Sequence, residues 1–204
     1  QLWPEQRGGD VERLPTLSAL FDEVGKRGAG SVRFNIETKL TPATPELTPE
    51  AEPYVKALLA VVRKHGMAAR VTVQSFDWRT LAVMQRLAPE IPTVALSAQQ
   101  KFLDNITDGR WTAGLTLPSH GGSLPRMVKA TGAAVWSPFH GELTESLLAE
   151  ARALGLKVVP WTVNDPAIIE RLLDWRVDGL ISDYPDRVRA AMARRGMPLP
   201  PAFR

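Results

Sequence analysis

A glutamate and a lysine two residues apart, Glu37 and Lys39, stand in the run VRFNIETK at residues 32–39. In a β-strand, residues two apart share a face, so Asn35, Glu37 and Lys39 point one way and Phe34, Ile36 and Thr38 the other. Two charges on an otherwise apolar strand are costly to bury unless they bind something. A carboxylate there can ligate a hard divalent cation, and an ammonium two residues on can meet a phosphate oxygen. The competing reading is an ion pair closing the end of a strand.

Other apolar runs also finish in polar or aromatic residues: Gln74-Ser75-Phe76-Asp77, Ser97, Ser137-Pro138-Phe139-His140, Trp161-Thr162-Val163-Asn164 and Ser182-Asp183. Asp77 and Asp165 suit helix caps better than ligands. Trp161 suits either a core or a pocket wall. The three histidines are dispersed. His65 falls in a last helical turn, where an imidazole complements the helix dipole. His120 lies in a Gly-rich loop and His140 just past a strand, and no two share a short metal-ligand spacing. There is no nucleotide-binding glycine loop and no nucleophile elbow.

Six runs read as strands: residues 32–39, 70–75, 92–96, 133–138, 157–163 and 179–183. Apolar on both faces, they suit parallel strands covered by helices. Helical segments lie between them. Thr48-Pro49-Glu50 predicts one helix start, Asp165-Pro166 another and Pro185 a third, with Gly66, Gly155 and Gly196 as stops. Leu17, Leu20, Phe21 and Val24 predict a short amphipathic helix after Pro15. Residues 97–122 read as a long functional loop with a weak helical signal at residues 99–103. Trp111 in that loop stacks on a ligand or anchors the loop. Alternation of strands and helices implies a parallel α/β sheet, open or closed into a barrel.

Composition narrows the class. The 204 residues include no Cys, which excludes a disulfide scaffold and thiol chemistry. No apolar run approaches the roughly 20 residues of a membrane span. Residues 1–10 lack a basic start followed by an apolar stretch, so no signal peptide is visible, as expected of a chain without one or of one already processed. The net charge of +3 is too dispersed to argue for nucleic acid. The basic cluster Arg187, Arg189, Arg194, Arg195 and Arg204 reads as one solvated helix face.

Taken together, these motifs resemble the glycerophosphodiester phosphodiesterase family over nearly the whole chain. The resemblance lies in RLPTLSAL at residues 13–20, FNIETK at 34–39, VQSFD at 73–77, VPWTVN at 159–164 and GLISDYPD at 179–186. It implies a (β/α)8 TIM barrel that hydrolyses glycerophosphodiesters to glycerol 3-phosphate and an alcohol with a divalent cation, Mg or Ca. It further implies that Glu37 is a metal ligand, that Lys39 is catalytic and contacts the phosphate, and that Gln74 and Trp161 bind substrate. Exported relatives suggest a periplasmic or secreted location.

The family's His-Arg-Gly and His-Asp motifs and its Glu-x-Asp metal pair do not occur here. The six runs therefore match strands three to eight, residues 1–204 forming one barrel domain that lacks the N-terminal two-strand unit. A closed barrel typically needs about 250 residues. A partner segment of the same barrel is expected to pair with both open edges and bring the histidines. The rival readings are another metal-dependent barrel phosphodiesterase or lyase, and a truncated chain that binds without turnover.

Overall fold

The computed structural model describes residues 13–200, so the readings on residues 1–10 and on Arg204 lie outside the described residues. The chain divides into two compact units, residues 1–32 and 33–204. The first contains helix α1 (Leu17–Lys26). Thr16 caps it, its hydroxyl accepting the Ala19 N–H at 3.1 Å, and Phe21 on its apolar stripe is buried.

In the second unit β1 (Phe34–Glu37), β2 (Val71–Ser75) and β3 (Thr93–Ser97) come first, followed by the two-residue strands β4 (Gln99–Gln100) and β5 (Leu103–Asp104), then β6 (Val135–Pro138) and β7 (Lys157–Val158). Its helices are α2 (Ala51–Lys64), α3 (Trp78–Leu87), α4 (Leu124–Ala130), α5 (Glu145–Ala153), α6 (Pro166–Asp174) and α7 (Pro185–Arg194). The main sheet runs β1-β2-β3-β6-β7 with every pair parallel. Strand order follows chain order, with no reversal of the kind a doubly wound sheet requires. The protein is α/β, and its sheet is wound in one direction like a segment of a (β/α)8 barrel.

Burial explains which face the helices cover. Val71, Val73 and Ser75 are buried while Thr72 and Gln74 between them are half-exposed. Helix α3 packs on β2 and β3, and α5 on β7. Val73, Leu81 and Met84 are fully buried, each contributing about 1.5–3 kcal/mol by removal from water. Trp136 is also buried, its indole N–H donating to the Ser97 hydroxyl at 2.8 Å. The opposite face carries Asn35, Glu37, Thr72 and Gln74, paired in register across β1 and β2.

The sixth run, residues 179–183, is not a regular strand. It lies beside β7 and its extension through three backbone hydrogen bonds, Asp178 N–H to Val158 O at 2.9 Å, Ile181 N–H to Pro160 O at 3.0 Å and Val163 N–H to Ile181 O at 2.8 Å. Pro160 has no N–H to donate, so the ladder is interrupted at its centre. The long loop differs as well. Residues 99–103 do not form a helix but belong to the antiparallel hairpin β4–β5, with Gln99 opposite Asp104 and Gln100 opposite Leu103.

Caps account for most helix starts. Asp165 accepts from the N–H groups of Ala167 and Ile168. Thr48 does not cap α2, which starts after Glu50; Thr48 ends a 3-10 turn over Pro45–Leu47 instead. Asp77 is fully buried and caps α3, its Oδ1 accepting from the Arg79 N–H at 3.1 Å and from Arg79 Nε at 2.8 Å. Asp77→Ala will lower stability by about 1–2 kcal/mol, the cost of a lost cap and its charge-assisted partner. A urea-unfolding midpoint indistinguishable from wild type would refute that role.

The basic run of α7 is spent on structure. Arg194 and Arg195 both reach Glu170, and Arg195 also holds Asp174 at 2.6 Å. These contacts tie α7 to α6, and the paired arginines hold the Glu170 and Asp174 carboxyls below their ordinary range. No helix among the described residues is long and apolar enough to cross a membrane.

Candidate functional site

The C-terminal ends of the parallel strands converge on a cavity of about 100 Å³ lined by Glu37, Gln74, Phe76, Leu96, Trp161, Thr162 and Ile181. These residues come from the ends of β1, β2 and β3 and from the two segments beyond β7. A sheet wound in one direction brings strand ends together on its inner face, which is where barrels place their sites.

One wall is polar. Glu37 ends β1 opposite Gln74 of β2. The Asn35 amide donates to Gln74 Oε1, and the Thr72 hydroxyl donates to Asn35 Oδ1 at 2.8 Å. That commits the Gln74 carbonyl oxygen and leaves its NH2 group as the donor toward a ligand oxygen. Lys39 Nζ stands 2.6 Å from Glu37 Oε1, with side-chain exposures of 76% and 21% respectively. Lys39 is not itself on the cavity lining, and its side chain is free to swing. An ion pair that exposed is worth little, about 0–1 kcal/mol, so an anionic ligand can draw the ammonium away at small cost.

Local backbone geometry fixes this wall. The Thr38 N–H donates to Gln74 O at 2.9 Å. The Ser75 hydroxyl donates to Thr38 O at 2.8 Å, and the Thr38 and Thr80 hydroxyls share a 2.7 Å bond beneath. Thr38 is buried at 1% exposure, so the residue between Glu37 and Lys39 is the anchor. Among the described residues no group of three or more His, Cys, Asp or Glu side chains stands together to hold a metal ion. Glu37 alone does not make a cation site without donors from elsewhere.

The other wall is aromatic. Trp161 meets Phe76 edge-on at 5.2 Å and Phe139 at 5.5 Å. Its indole N–H donates to Ser137 O at 2.9 Å, which holds the ring at the mouth rather than in the core. Trp161 therefore forms a pocket wall. The peptide N–H of His140 donates to Trp161 O at 2.8 Å, and the His140 ring packs on Phe139 at 4.7 Å.

Burial, and secondarily the charge of Arg171, hold the His140 imidazole below its ordinary value of 6.5, against the opposing pull of Asp165. Its Nδ1 is buried with no hydrogen-bond partner among the described residues. The unfolded chain thus binds a proton that the folded chain resists. This contribution to stability is fully present above pH 6.5 and is lost as pH falls through 6.5 toward the lower folded value. His140→Asn will flatten the pH dependence of the melting temperature in that window, as calorimetry at successive pH values will show. An unchanged slope would contradict the assignment.

At the rim, Asn164 organises the end of the sheet. Its Nδ2 donates to Asp183 Oδ2 at 2.8 Å, and its Oδ1 accepts from the Asp183 N–H at 2.9 Å. Arg187 donates to Asn164 O and lies 3.8 Å over the Tyr184 ring.

Of the residues singled out in the sequence, Glu37, Gln74 and Trp161 meet at one cavity, and Lys39 joins them through Glu37. None of the three histidines lines it; His120 Nδ1 instead contacts Thr116 O at 2.7 Å within its own loop. Trp111 anchors through its backbone, its carbonyl accepting the Trp78 N–H at 2.7 Å. Sequence reasoning missed Asn105, which is fully buried and ties Ala98, Phe76 and Leu96 together. An isolated Asn in a loop carries no sequence signal, because its partners are backbone groups of distant strands.

Comparison with known proteins agrees with the topology. The chain is 31% identical over 177 residues to a glycerophosphodiester phosphodiesterase of Bacillus subtilis, the match covering 85% of this chain and 52% of that protein. It superposes with a TM-score of 0.75 and 33% identity on a solved Silicibacter pomeroyi structure assigned to the same family, covering 91% of this chain and 58% of that one. An Oleispira antarctica phosphodiesterase, solved with sn-glycerol-3-phosphate, shares the fold at a TM-score of 0.63 and 20% identity, over 88% of this chain and 61% of that one. The chain thus spans between about half and three-fifths of the length of these relatives. The family model for glycerophosphoryl diester phosphodiesterases matches residues 4–187, and the chain belongs to that family.

Proposed function

We propose that this chain forms the phosphate- and alcohol-binding side of a site that hydrolyses glycerophosphodiesters to glycerol 3-phosphate and an alcohol. The observation that carries the reading is the meeting of Glu37, Gln74 and Trp161 at one cavity, with Lys39 beside Glu37, in a barrel segment of this family. The Oleispira antarctica relative solved with sn-glycerol-3-phosphate lends it support.

In this reading Lys39 releases Glu37 and places its ammonium against a phosphate oxygen. There it stabilises the charge that develops at phosphorus. The Gln74 NH2 group donates to a second substrate oxygen. Trp161 packs on the carbons of the glycerol moiety, excludes water from that side and limits how the diester can lie. A divalent cation, Mg or Ca, belongs to the complete site as a Lewis acid, with Glu37 as this chain's contribution to its ligands.

We further propose that a segment carrying the first two barrel strands pairs with β1 on one side and residues 178–183 on the other. Among the described residues β1 is the first strand of the sheet order, and sheet edges are a liability that proteins cover. An apolar groove of about 270 Å³ along Leu180, Val188 and Met192, at the second edge, suits such packing. That segment supplies the two catalytic histidines and the remaining carboxylates. Because no histidine of this chain reaches the cavity, the 204 residues alone are expected to bind without turnover.

The test is release of glycerol 3-phosphate from glycerophosphocholine, followed by coupled oxidation of the product. Cation-dependent release by the full-length protein, with none from residues 1–204 alone, is expected. Release by the short chain would overturn the need for added histidines. An inactive full-length protein would overturn the enzyme reading itself.

A further inference from the structure

The aromatic wall does not stop at the cavity. Phe139 continues it outward to Phe102, the two rings 5.6 Å apart and nearly perpendicular at 77°. Phe102 is 66% exposed and is the one exposed aromatic residue among the described residues. It sits at the turn of the β4–β5 hairpin, which follows directly on the C-terminal end of β3. Two rings meeting near a right angle leave a corner bounded by aromatic surface on both sides, joined to the cavity wall through the Phe139 contact with Trp161.

The hairpin that presents Phe102 is held firmly. Asn105 accepts the Ala98 N–H at 2.9 Å and donates to Phe76 O and Leu96 O, both at 3.0 Å. Glu142 Oε1 accepts the Gln99 N–H at 2.7 Å and the Gln100 amide at 2.6 Å. An exposed phenyl ring on so fixed a hairpin gains nothing from solvent.

Local charge favours a cation. Glu142 and Asp104 stand at the base of the hairpin, and Lys101 at its tip is the one cation on residues 99–104. Burial opposes ionisation of Asp104, but hydrogen bonds from Thr107 and from the Ile106 N–H outweigh it and hold the carboxyl below its usual range. His140, which packs on the other side of Phe139, is kept toward its neutral form by burial. Its imidazole adds little repulsion to a bound cation.

We propose that Phe102 and Phe139 form the subsite for the leaving alcohol and that this subsite takes a quaternary ammonium head group. The inference rests on the function proposed above and names the specificity of its alcohol side. A methylated ammonium is attracted by ring faces and is cheap to desolvate. A phosphate or carboxylate head group would meet the two hairpin carboxylates instead.

The test uses the full-length protein and Phe102→Ala and Phe102→Trp variants. Choline binding is followed by NMR titration, with 3,3-dimethylbutanol as the neutral isostere, and needs no turnover. Phe102→Ala is expected to weaken choline binding about fivefold, which is about 1 kcal/mol at 1.4 kcal/mol per tenfold, and Phe102→Trp to restore it. The ratio of kcat/KM for glycerophosphocholine to that for glycerophosphoglycerol falls by the same factor in Phe102→Ala. Equal binding of choline by wild type and Phe102→Ala, no binding by wild type, or equal affinity for choline and the neutral isostere would each overturn the proposal. Phe102-dependent choline binding by a protein that hydrolyses no diester would uphold the subsite and sink the proposed reaction, which keeps the two failures apart.

Discussion

Glu37→Gln in the full-length protein will lower glycerophosphodiester hydrolysis by about 10²–10³-fold, the scale on which a single charge-stabilising group acts in a preorganised site. Gln has the shape of Glu and keeps a carbonyl oxygen, so the change removes charge and little else. The charge has two uses in the proposed site: it is a hard oxygen ligand for a cation, and it parks the Lys39 ammonium 2.6 Å away when no phosphate is present. Folding will hardly notice, because the pair lies at the surface, with Lys39 76% exposed, and such pairs contribute about 0–1 kcal/mol. The measurement is therefore paired: steady-state hydrolysis beside a melting curve. A loss smaller than about fivefold with the fold intact would remove Glu37 from the machinery. A collapse of the melting temperature would make it structural.

Substitution of Asn105 carries the largest expected effect on stability, about 3 kcal/mol for Asn105→Leu. The two side chains share heavy-atom count and branching and Leu is the bulkier, so no cavity opens. What changes is satisfaction of backbone groups in a place without water. The Ala98 N–H loses its acceptor and Phe76 O loses its donor, and each buried group left unmet costs about 1–3 kcal/mol. Leu96 O suffers less, since the Trp78 indole also donates to it at 3.0 Å. Asn105→Asp keeps the acceptor for Ala98 but sets a buried carboxylate against the Phe76 and Leu96 carbonyl oxygens, and at neutral pH it is expected to destabilise at least as much as Asn105→Leu. Urea unfolding of the three proteins decides the order. A Leu variant within about 1 kcal/mol of wild type would show that the loop finds other partners. The same variant frees the hairpin that carries Phe102, linking a stability measurement to the head-group corner.

How far the sequence reached can be judged from particular elements. Alternation of apolar runs with capped helical segments gave the α/β class, because caps and periodicity are local. Asp165-Pro166 and Pro185 start their helices where the sequence put them. The Thr48 cap failed for a reason just as local: a 3-10 turn over Pro45–Leu47 occupies that place. The hairpin at residues 99–104 was not legible, because two-residue strands have too little periodicity to separate from a weak helix. The run at residues 179–183 read as a strand and is one in position only, since Pro160 interrupts the pairing across from it.

The site divides along the same line. Residue type and two-residue spacing were enough to single out Glu37 and Lys39, because a strand's alternation decides by itself which side chains share a face; Gln74 and Trp161 stood out only as strand-end residues, and their substrate-binding roles came from the family resemblance. Family resemblance came from the same short motifs, and the match over residues 4–187 bears it out. Tertiary structure alone decided that Trp161 is a wall rather than core, that Phe76, Phe139 and Phe102 extend it, and that Asn105 holds the hairpin beside it. Those facts depend on how far a curved sheet brings strand ends together and on which backbone groups are left unpaired there. Both are sums over residues far apart in the chain, and no local pattern records them.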